Sequence, residues 1–420
     1  MRPTERLLFP ELTPTEAPVE RTKVAKGQEK GARPLHALLS SVWSFDGRGG
    51  DQVYRWYGTL PRALVERLLG LYCPPGTRVL DPFVGLGATL DVAADAGLQA
   101  AGVDVNPLAC LAAQVRLFTG ATSSAAVPRA RALVARQRLH SAPKGRAPWA
   151  AVLRDVKFDY ARRWFRADSL DALLALLFAI ADEEDAALAR VHFVAAAQII
   201  REVASVDPRC THHLVTKQKP FIDPLPLWVE QVARVVRAAR PNAADPRHVV
   251  VRQASALECL GELPKAGFAL IHPPYLGVIN YHLIHRLATD LLGIVQQVCA
   301  PESLAGLDFG YERLRAADMS TDRTGTYQTS VERLADAIAG GTAPDARCAV
   351  IIGDQRHRGH LRHPFTDYIA AFEIRGFLLE ENFIWLLQNN GGMHVLRRGH
   401  FIDHNYILVF KRMPPAGVET

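Results

Sequence analysis

The sequence predicts an α/β fold with a mostly parallel, seven-stranded sheet, an antiparallel terminal hairpin and an inserted helical subdomain. Two observations predict it. Between residues 78 and 104 a strand, a glycine turn, a helix and a strand ending in an acidic residue succeed one another, which is the layout of a nucleoside-binding βαβ unit. Residues 121–247 then show helical periodicity without a convincing strand and are too long to be a loop, before apolar strands resume at residue 249.

The N-terminal part divides into an arm and the first half of the sheet. Residues 1–35 mix Pro, Thr, Glu, Lys and Arg with little periodicity, which favours a flexible arm. Residues 36–120 form the first half of the α/β domain. Its predicted elements are a helix over 60–71, a strand over 78–80, a helix over 89–96, a strand over 99–103 and a helix over 107–118.

The insert, residues 121–247, is predicted to be helical over 169–181, 187–203 and 225–239. Its beginning is strongly basic. Residues 120–150 contain no acidic residue but carry Arg129, Arg131, Arg136, Arg138, Lys144 and Arg146. A basic segment of this kind suits contact with a polyanion.

The second half of the α/β domain spans residues 248–414. Its predicted strands and helices are separated by an irregular stretch over 308–327. The last two strands are expected to pair as an antiparallel hairpin because the chain between them is short. The predicted elements are strands over 249–252 and 268–271, a helix over 283–298, a strand over 347–353, a helix over 365–375, and strands over 377–387 and 405–411.

Composition narrows the class of protein. The chain has 49% hydrophobic residues, enough for a large core, and a net charge of +6 that suits a polyanionic partner without requiring one. Its six cysteines contain no CxxC pair, which argues against a disulfide framework or a zinc knuckle; Cys210-Thr-His-His213 alone is weak support for a metal. Without an apolar run of spanning length or a signal peptide, no membrane partner is expected, and the predicted location is the cytoplasm.

The glycine turn, Asp81-Pro-Phe-Val-Gly-Leu-Gly87, is the first candidate site. Gly85 and Gly87 allow the backbone to pass close to a ligand, and Asp104 at the end of the next strand is positioned to accept hydrogen bonds from ribose hydroxyls. The turn is not a GxGxxG and no Walker lysine follows, so a diphosphate cofactor is disfavoured. Asn106-Pro107 is equally well explained as a helix start or as a ligand contact.

These motifs resemble a known family. "DPFVGLGATL" and "GVDVNPLA" resemble the cofactor motif and its acidic partner in amino-group DNA methyltransferases, which modify adenine N6 or cytosine N4, and "YRWYGTLPRALVERLL" resembles the segment that closes over the cofactor's methionine end. The resemblance covers residues 36–118 and 248–412 and implies the Rossmann-like methyltransferase fold. It implies S-adenosylmethionine as the cofactor, held by Tyr57, Thr59, Asp81, Pro82, Phe83, Gly85, Gly87, Thr89, Asp104, Asn106 and Ser255.

A second motif resembles the catalytic part of the same family. "HPPYLGVINYHLIHRLATDLLG" is similar to the [Asp/Asn/Ser]-Pro-Pro-Tyr motif and its trailing segment in the cytosine-N4 members, which implies a catalytic turn of His272, Pro273, Pro274 and Tyr275. In the family the tyrosine stacks on a flipped base, while the first residue and the following carbonyl accept hydrogen bonds from its amine. The chain departs from the pattern at His272, which can accept only when neutral, and at Gln253-Ala-Ser255, where relatives carry a Gly-Asp pair.

The resemblance implies a site-specific methyltransferase whose partner is double-stranded DNA with the target base flipped, cytosine N4 being slightly favoured over adenine N6. Two alternatives stay open: an RNA base-amine methyltransferase, and a catalytically silent nucleic-acid-binding subunit. Phosphate contacts are expected from three basic clusters, residues 129–146, 356–363 and 394–400. A large insert between the two motifs is one of the family's arrangements, which implies that the insert, residues 121–247, is a candidate target-recognition region, together with residues 308–327. The sequence leaves open a restriction or defence partner, the recognition sequence and the oligomeric state.

Overall fold

A computed structural model gives the architecture of the chain. It describes residues 39–45, 52–120, 123–139, 159–207, 214–240, 243–276, 279–317, 319, 326–357, 360–387 and 404–414. The predicted arm, the cluster at 394–400 and the Cys210–His213 group lie outside the described residues. Within them, no helix is both long and apolar enough to cross a membrane.

Eight of the described strands form one sheet in the order β1-β9-β10-β6-β5-β2-β3-β4. The sheet is parallel except for β10, which runs antiparallel to both β6 and β9. The strands are β1 (Leu39–Ser44), β2 (Arg78–Asp81), β3 (Gln99–Asp104), β4 (Val249–Gln253), β5 (Ala266–Ile271), β6 (Thr342–Ile352), β9 (Phe377–Leu386) and β10 (His404–Arg412), while β7 (Gln355–His357) and β8 (His360–Arg362) form a separate hairpin. The predicted α/β fold is therefore confirmed, with β1 as an eighth strand that the sequence analysis did not include.

Helices cover the sheet and form the insert. They are α1 (Arg62–Tyr72), α2 (Ala88–Asp95), α3 (Pro107–Phe118), α4 (Ser123–Leu139), α5 (Asp159–Arg162), α6 (Ala167–Ala181), α7 (Ala186–Val203), α8 (Pro224–Ala238), α9 (Ala256–Cys259), α10 (Tyr281–Ile284), α11 (Arg286–Cys299), α12 (Tyr311–Ala317), α13 (Thr326–Gly341) and α14 (Phe365–Glu373). The insert helices share one apolar core with α3 and α11, so the insert packs against the sheet domain rather than standing apart from it.

Several elements besides β1 were absent from the sequence prediction. Helix α4 contains Pro128 and has no clear apolar stripe, and β7 and β8 have three residues each, so their patterns are weak. Helix α12 lies inside the stretch predicted to be irregular. Helix α13 does carry a helical signal, since Val331, Leu334, Ala335 and Ile338 are all fully buried at the expected spacing. The predicted helix over 283–298 is divided at His285 into α10 and α11.

The sheet brings the two motifs to one edge. Strands β2, β3, β4 and β5 are mutually parallel, so their carboxyl ends and the loops that follow them lie at the same side of the sheet. Gly102 in β3 allows this part to pack closely: a Cβ there would lie 2.5 Å from Cγ2 of Val84 in the glycine turn. The Val84 amide also donates to the Val103 carbonyl, at 2.9 Å.

Candidate active site

One pocket lies at this edge of the sheet. The loops after β2, β3, β4 and β5 and the segment before α1 all contribute to its walls. The predicted site residues that line it are Tyr57, Thr59, Asp81, Pro82, Phe83, Gly85, Thr89, Asp104, Asn106, Ser255, His272, Pro273, Pro274 and Tyr275. Gly87 is the exception. It begins α2 with a φ of 77°, and a Cβ there would approach the Ala113 Cβ to 3.2 Å, so this glycine serves the contact between α2 and α3.

The glycine turn is tied to Asp104. The two carboxylate oxygens of Asp104 accept hydrogen bonds from the backbone amides of Gly85, at 3.1 Å, and Asn106, at 2.9 Å. Gly85 has a φ of 48°, and a Cβ there would lie 3.3 Å from Nε1 of Trp56, which also lines the pocket. A side chain at this position would therefore be strained and would crowd Trp56, so glycine allows the turn to pack against this ring.

Asp81 supplies a second carboxylate. It is 5% exposed and accepts a hydrogen bond from the Phe83 amide at 3.0 Å. Burial raises the pKa of Asp81 to about 6, against the opposing effect of hydrogen bonds from Thr89 and Phe83. A cationic group on a bound ligand would stabilise the ionised form, because it replaces the solvation that burial removes.

Asn106 and Ser255 lie at helix starts. The Asn106 side chain accepts from the Leu108 amide at 3.0 Å and also lines the pocket, so both interpretations of this residue agree with its position. Ser255 precedes α9 and lines the pocket without a side-chain capping bond. Gln253 holds the loop before α12 in place. Its side-chain Nε2 donates to the Asp308 carbonyl at 2.8 Å, and its Oε1 accepts from the Asp308 backbone amide at 2.6 Å.

The His272–Tyr275 turn, which the resemblance implies to be catalytic, lines the same pocket as the glycine turn. The His272 ring is half-buried in the pocket wall. Burial lowers its pKa to about 4, partly offset by a hydrogen bond to the backbone of Gly58. The imidazole is therefore neutral near pH 7, and a neutral ring whose N–H is engaged by a carbonyl keeps its other nitrogen as an acceptor.

Tyr275 is held at its hydroxyl end. Its side chain is buried, with its Oη donating to Asn405 Oδ1 at 3.1 Å, and its ring meets the His272 ring edge to face, with centroids 5.6 Å apart. The next residue is also fixed, because the Leu276 amide donates to Gln355 Oε1 at 3.0 Å. The aromatic ring and the imidazole thus form one preorganised wall.

Several pocket residues were not among the predicted cofactor-binding or catalytic residues. Trp56 stacks on His285 with centroids 4.5 Å apart, and on Tyr281 at 5.4 Å, while the Tyr281 hydroxyl donates to the Tyr57 carbonyl at 2.9 Å. Trp56 lies within the segment that resembles the family, so only its role was missed. From the α12 region, Leu314, Ala317 and Met319 reach the pocket across a long sequence separation that no local pattern reports.

The structure describes the predicted basic clusters only in part. Arg129, Arg131 and Arg136 of the first basic cluster are on α4. The described residues of the second cluster lie in and next to β7 and β8, and Gln355 at the start of β7 accepts from the Leu276 amide directly after the His272–Tyr275 turn. Over the residues described, no group of three or more His, Cys, Asp and Glu side chains could hold a metal ion.

The pocket's donor set fits S-adenosylmethionine. It combines two carboxylates, Asp81 and Asp104, with apolar and aromatic walls, which match a cationic amino acid end, a ribose and a flat base. The fold and this site define a nucleoside-binding α/β protein whose pocket also contains the His272–Tyr275 turn.

Comparison with known proteins agrees with this class. Residues 13–115 match the family model described as DNA methylase, of the N6/N4 methyltransferase group, which confirms the resemblance that the motifs predicted. The match includes the glycine turn and Asp104 and begins within the predicted arm. The type II methyltransferase M.MjaII of Methanocaldococcus jannaschii is 34% identical over 65 residues, which are 16% of this chain and 12% of that protein. The chain thus spans only a small part of this relative's length.

Solved structures resemble the chain at low identity. TrmN from Thermus thermophilus has 11% identity and a TM-score of 0.29, covering 85% of this chain and 50% of its own. The rRNA methyltransferase aviRa from Streptomyces viridochromogenes has 10% identity and a TM-score of 0.32, covering 86% of this chain and 90% of its own. At these scores the similarities add no argument, and the fold assignment rests on the strand order itself.

Proposed function

We propose that the chain is an S-adenosylmethionine-dependent methyltransferase that transfers a methyl group to an exocyclic amine of a base flipped out of double-stranded DNA. The observation that carries the proposal is that the Gly85 turn and the His272–Tyr275 turn line the same pocket. The family match over residues 13–115 supports both the cofactor and a DNA substrate. Cytosine N4 is favoured over adenine N6 on the segment that follows Tyr275.

The chain's own residues provide binding and orientation. When bound, S-adenosylmethionine supplies an electrophilic methyl group on a sulfonium. Asp81 attracts the cofactor's cationic end, Asp104 accepts from its ribose, and Ser255 lies at its base. Tyr275 offers a ring face on which the target base stacks.

His272 and the Pro273 carbonyl accept the two amine hydrogens. An exocyclic amine is a poor nucleophile because its lone pair is delocalised into the ring, and two acceptors favour the rehybridised nitrogen of the transition state. Transfer would form an N–C bond and break the S–C bond of the cofactor, leaving S-adenosylhomocysteine, and the amine proton that is lost would pass to solvent. With a pKa of about 4, His272 acts as a hydrogen-bond acceptor rather than as a store for that proton.

The proposal is tested by incubating the protein with methyl-labelled S-adenosylmethionine and either duplex DNA or RNA, then digesting the nucleic acid and identifying the modified nucleoside. We expect N4-methylcytosine in DNA. Label in RNA alone would replace the DNA proposal with the RNA alternative. Cofactor binding without label in either polymer would leave the silent, nucleic-acid-binding subunit.

The variant Tyr275→Ala tests the role of the tyrosine ring in methyl transfer. We expect transfer to fall at least a hundredfold, because the base loses its stacking surface, while cofactor affinity changes less than threefold. A folded Tyr275→Ala variant with full activity would remove this residue from the proposed mechanism.

A further inference from the structure

We infer that Asn405 is a positioning residue that fixes the ring of Tyr275 for the incoming base, an inference that rests on the proposed function. Asn405 Oδ1 accepts the hydrogen bond of Tyr275 Oη at 3.1 Å, and both side chains are buried, Asn405 to 2% exposure. The two residues are 130 positions apart in sequence. Asn405 belongs to the closing strand, for which the sequence analysis assigned no chemistry.

The Tyr275 hydroxyl lies where two strands end. Burial raises the pKa of Tyr275, and the backbone of Gly353, which follows β6 directly, opposes that rise. Strands β6 and β10 pair antiparallel with Ile352 opposite Tyr406, so Gly353 and Asn405 are neighbours at the end of this ladder. The phenol tip is thereby anchored to β10, beside the end of β6, and neither strand belongs to the His272–Tyr275 turn.

Stability alone does not favour a buried hydrogen bond between Tyr275 and Asn405 at this place. After Asn405, strand β10 continues with the buried run Tyr406 to Phe410. A buried amide in such a strand costs free energy unless it is hydrogen-bonded, whereas replacing both partners of a buried hydrogen bond with apolar groups is often nearly neutral. A Phe and Leu pair would therefore preserve the packing but not the anchor.

The anchor fixes the tip of the ring and hence the direction of its long axis. Tyr275 meets His272 at an interplanar angle of 85°, so the plane on which a base stacks stands in a set relation to the imidazole that accepts its amine hydrogen. A base stacked on a tilted ring would present its amine away from that acceptor. Displacements of about 1 Å in a reacting pair reduce rates by roughly a hundredfold, so partial loosening of the ring should be measurable.

The test compares Asn405→Leu, Tyr275→Phe and the double variant in methyl transfer at saturating DNA and cofactor. We expect kcat to fall about tenfold in each single variant and by no more in the double, because both substitutions remove the same hydrogen bond. Cofactor Kd and the KM for DNA should change less than twofold. Thr119→Val, which removes a buried hydroxyl bond to Val115 at the end of α3, is the matched control and should leave kcat unchanged.

Measuring Tm beside kcat separates a positioning role of Asn405 from a merely structural one. Asn405→Leu alone leaves a buried hydroxyl with one partner fewer and should lower Tm, whereas the double variant should regain most of that Tm without regaining kcat. A kcat that recovers with Tm, an Asn405→Leu variant with full kcat, or losses that multiply in the double variant would each overturn the inference.

An NMR measurement that does not depend on methyl transfer separates this inference from the proposed function. In tyrosine-labelled protein, the buried Tyr275 hydroxyl proton should give an NMR resonance that is missing in Tyr275→Phe and lost through fast exchange in Asn405→Leu. If the resonance persists in Asn405→Leu, the anchor is refuted even where the wild type methylates DNA. If the wild type methylates no nucleic acid but the resonance behaves as expected, the proposed function fails and the anchor remains.

Discussion

His272 occupies the position at which the family carries Asp, Asn or Ser, and its environment makes it resemble those residues chemically. Its pKa is lowered to about 4 by burial, so the ring is a neutral acceptor over the range in which an ordinary histidine titrates. The departure from the family pattern is thus compatible with a preserved role.

For His272 we expect kcat at saturating cofactor to be flat between pH 6 and 8 and to fall only below about pH 5, as the ring protonates. His272→Asn retains an acceptor and should keep activity within about tenfold, whereas His272→Ala should lose roughly a hundredfold. The pH profiles of kcat for the wild type, His272→Asn and His272→Ala test both expectations. An inflection near pH 6.5 that disappears in His272→Asn would show that the ring titrates normally.

Asp81 combines a stability cost with a binding role. Its folded pKa, about 6, lies above that of an unfolded aspartate, so the folded state holds more protons between about pH 4 and 6 and loses stability as pH rises through this window. Asp81→Asn should therefore raise the free energy of unfolding at pH 7 by roughly 1–3 kcal/mol.

The same substitution should weaken S-adenosylmethionine binding about tenfold or more, because the attraction to the cofactor's cation is lost. In the wild type, calorimetry should show affinity falling as pH drops below about 6, and this dependence should be absent in Asp81→Asn. Wild-type affinity that stays level from pH 5 to 8, or a destabilised Asp81→Asn, would contradict the assignment.

At the scale of elements, the glycine turn depends on a residue outside its motif. Gly102 in β3 leaves room for Val84, and the hydrogen bonds of Asp104 fix the backbone of Gly85. The ligand-facing shape of the turn is therefore set jointly by β2, β3 and the loop between them.

Gly102→Ala should displace the turn, because its Cβ would lie 2.5 Å from Val84 Cγ2. We expect a loss of about 1–3 kcal/mol in stability and at least fivefold weaker cofactor binding, by denaturant titration and calorimetry. Gly261→Ala, where the added Cβ meets nothing within 4 Å, is the control and should change stability by less than about 0.5 kcal/mol. Equal behaviour of the two variants would refute the packing argument.

The local patterns that predicted the elements also explain what was missed. Helix α3 begins and ends where predicted, because Asn106, Pro107 and an apolar face mark it in the sequence. Strand β1 pairs with β9 from the far end of the chain, and the contacts of Leu314 and Met319 with the pocket cross the whole insert. Such partners are determined by tertiary packing, which no window of sequence contains.

At the scale of the whole molecule, a network of ion pairs around Asp91 in α2 connects parts of the chain that are distant in sequence. Its carboxylate, 7% exposed, contacts Arg116 of α3 and Arg240 beyond α8 at 2.7 Å each, and Arg62 of α1 at 3.4 Å. The network thus links the cofactor half of the sheet to the end of the insert.

Asp91→Ala should cost about 3 kcal/mol in the free energy of unfolding, because Arg116 and Arg240 remain largely buried without this partner. Glu230→Ala removes an exposed i,i+4 pair with Arg234 and should cost less than about 0.5 kcal/mol. Both values follow from urea denaturation. A cost for Asp91→Ala no larger than that of the control would mean that the network contributes little.

The central claim is that one pocket holds the methyl donor against the His272–Tyr275 turn, and a crystal structure with S-adenosylmethionine bound tests it most directly. We expect the cofactor to contact Asp81, the Gly85 turn and Asp104, with its methyl group directed at the space beside His272 and Tyr275. A cofactor bound elsewhere, or bound there with its methyl group directed away from this turn, would contradict the account.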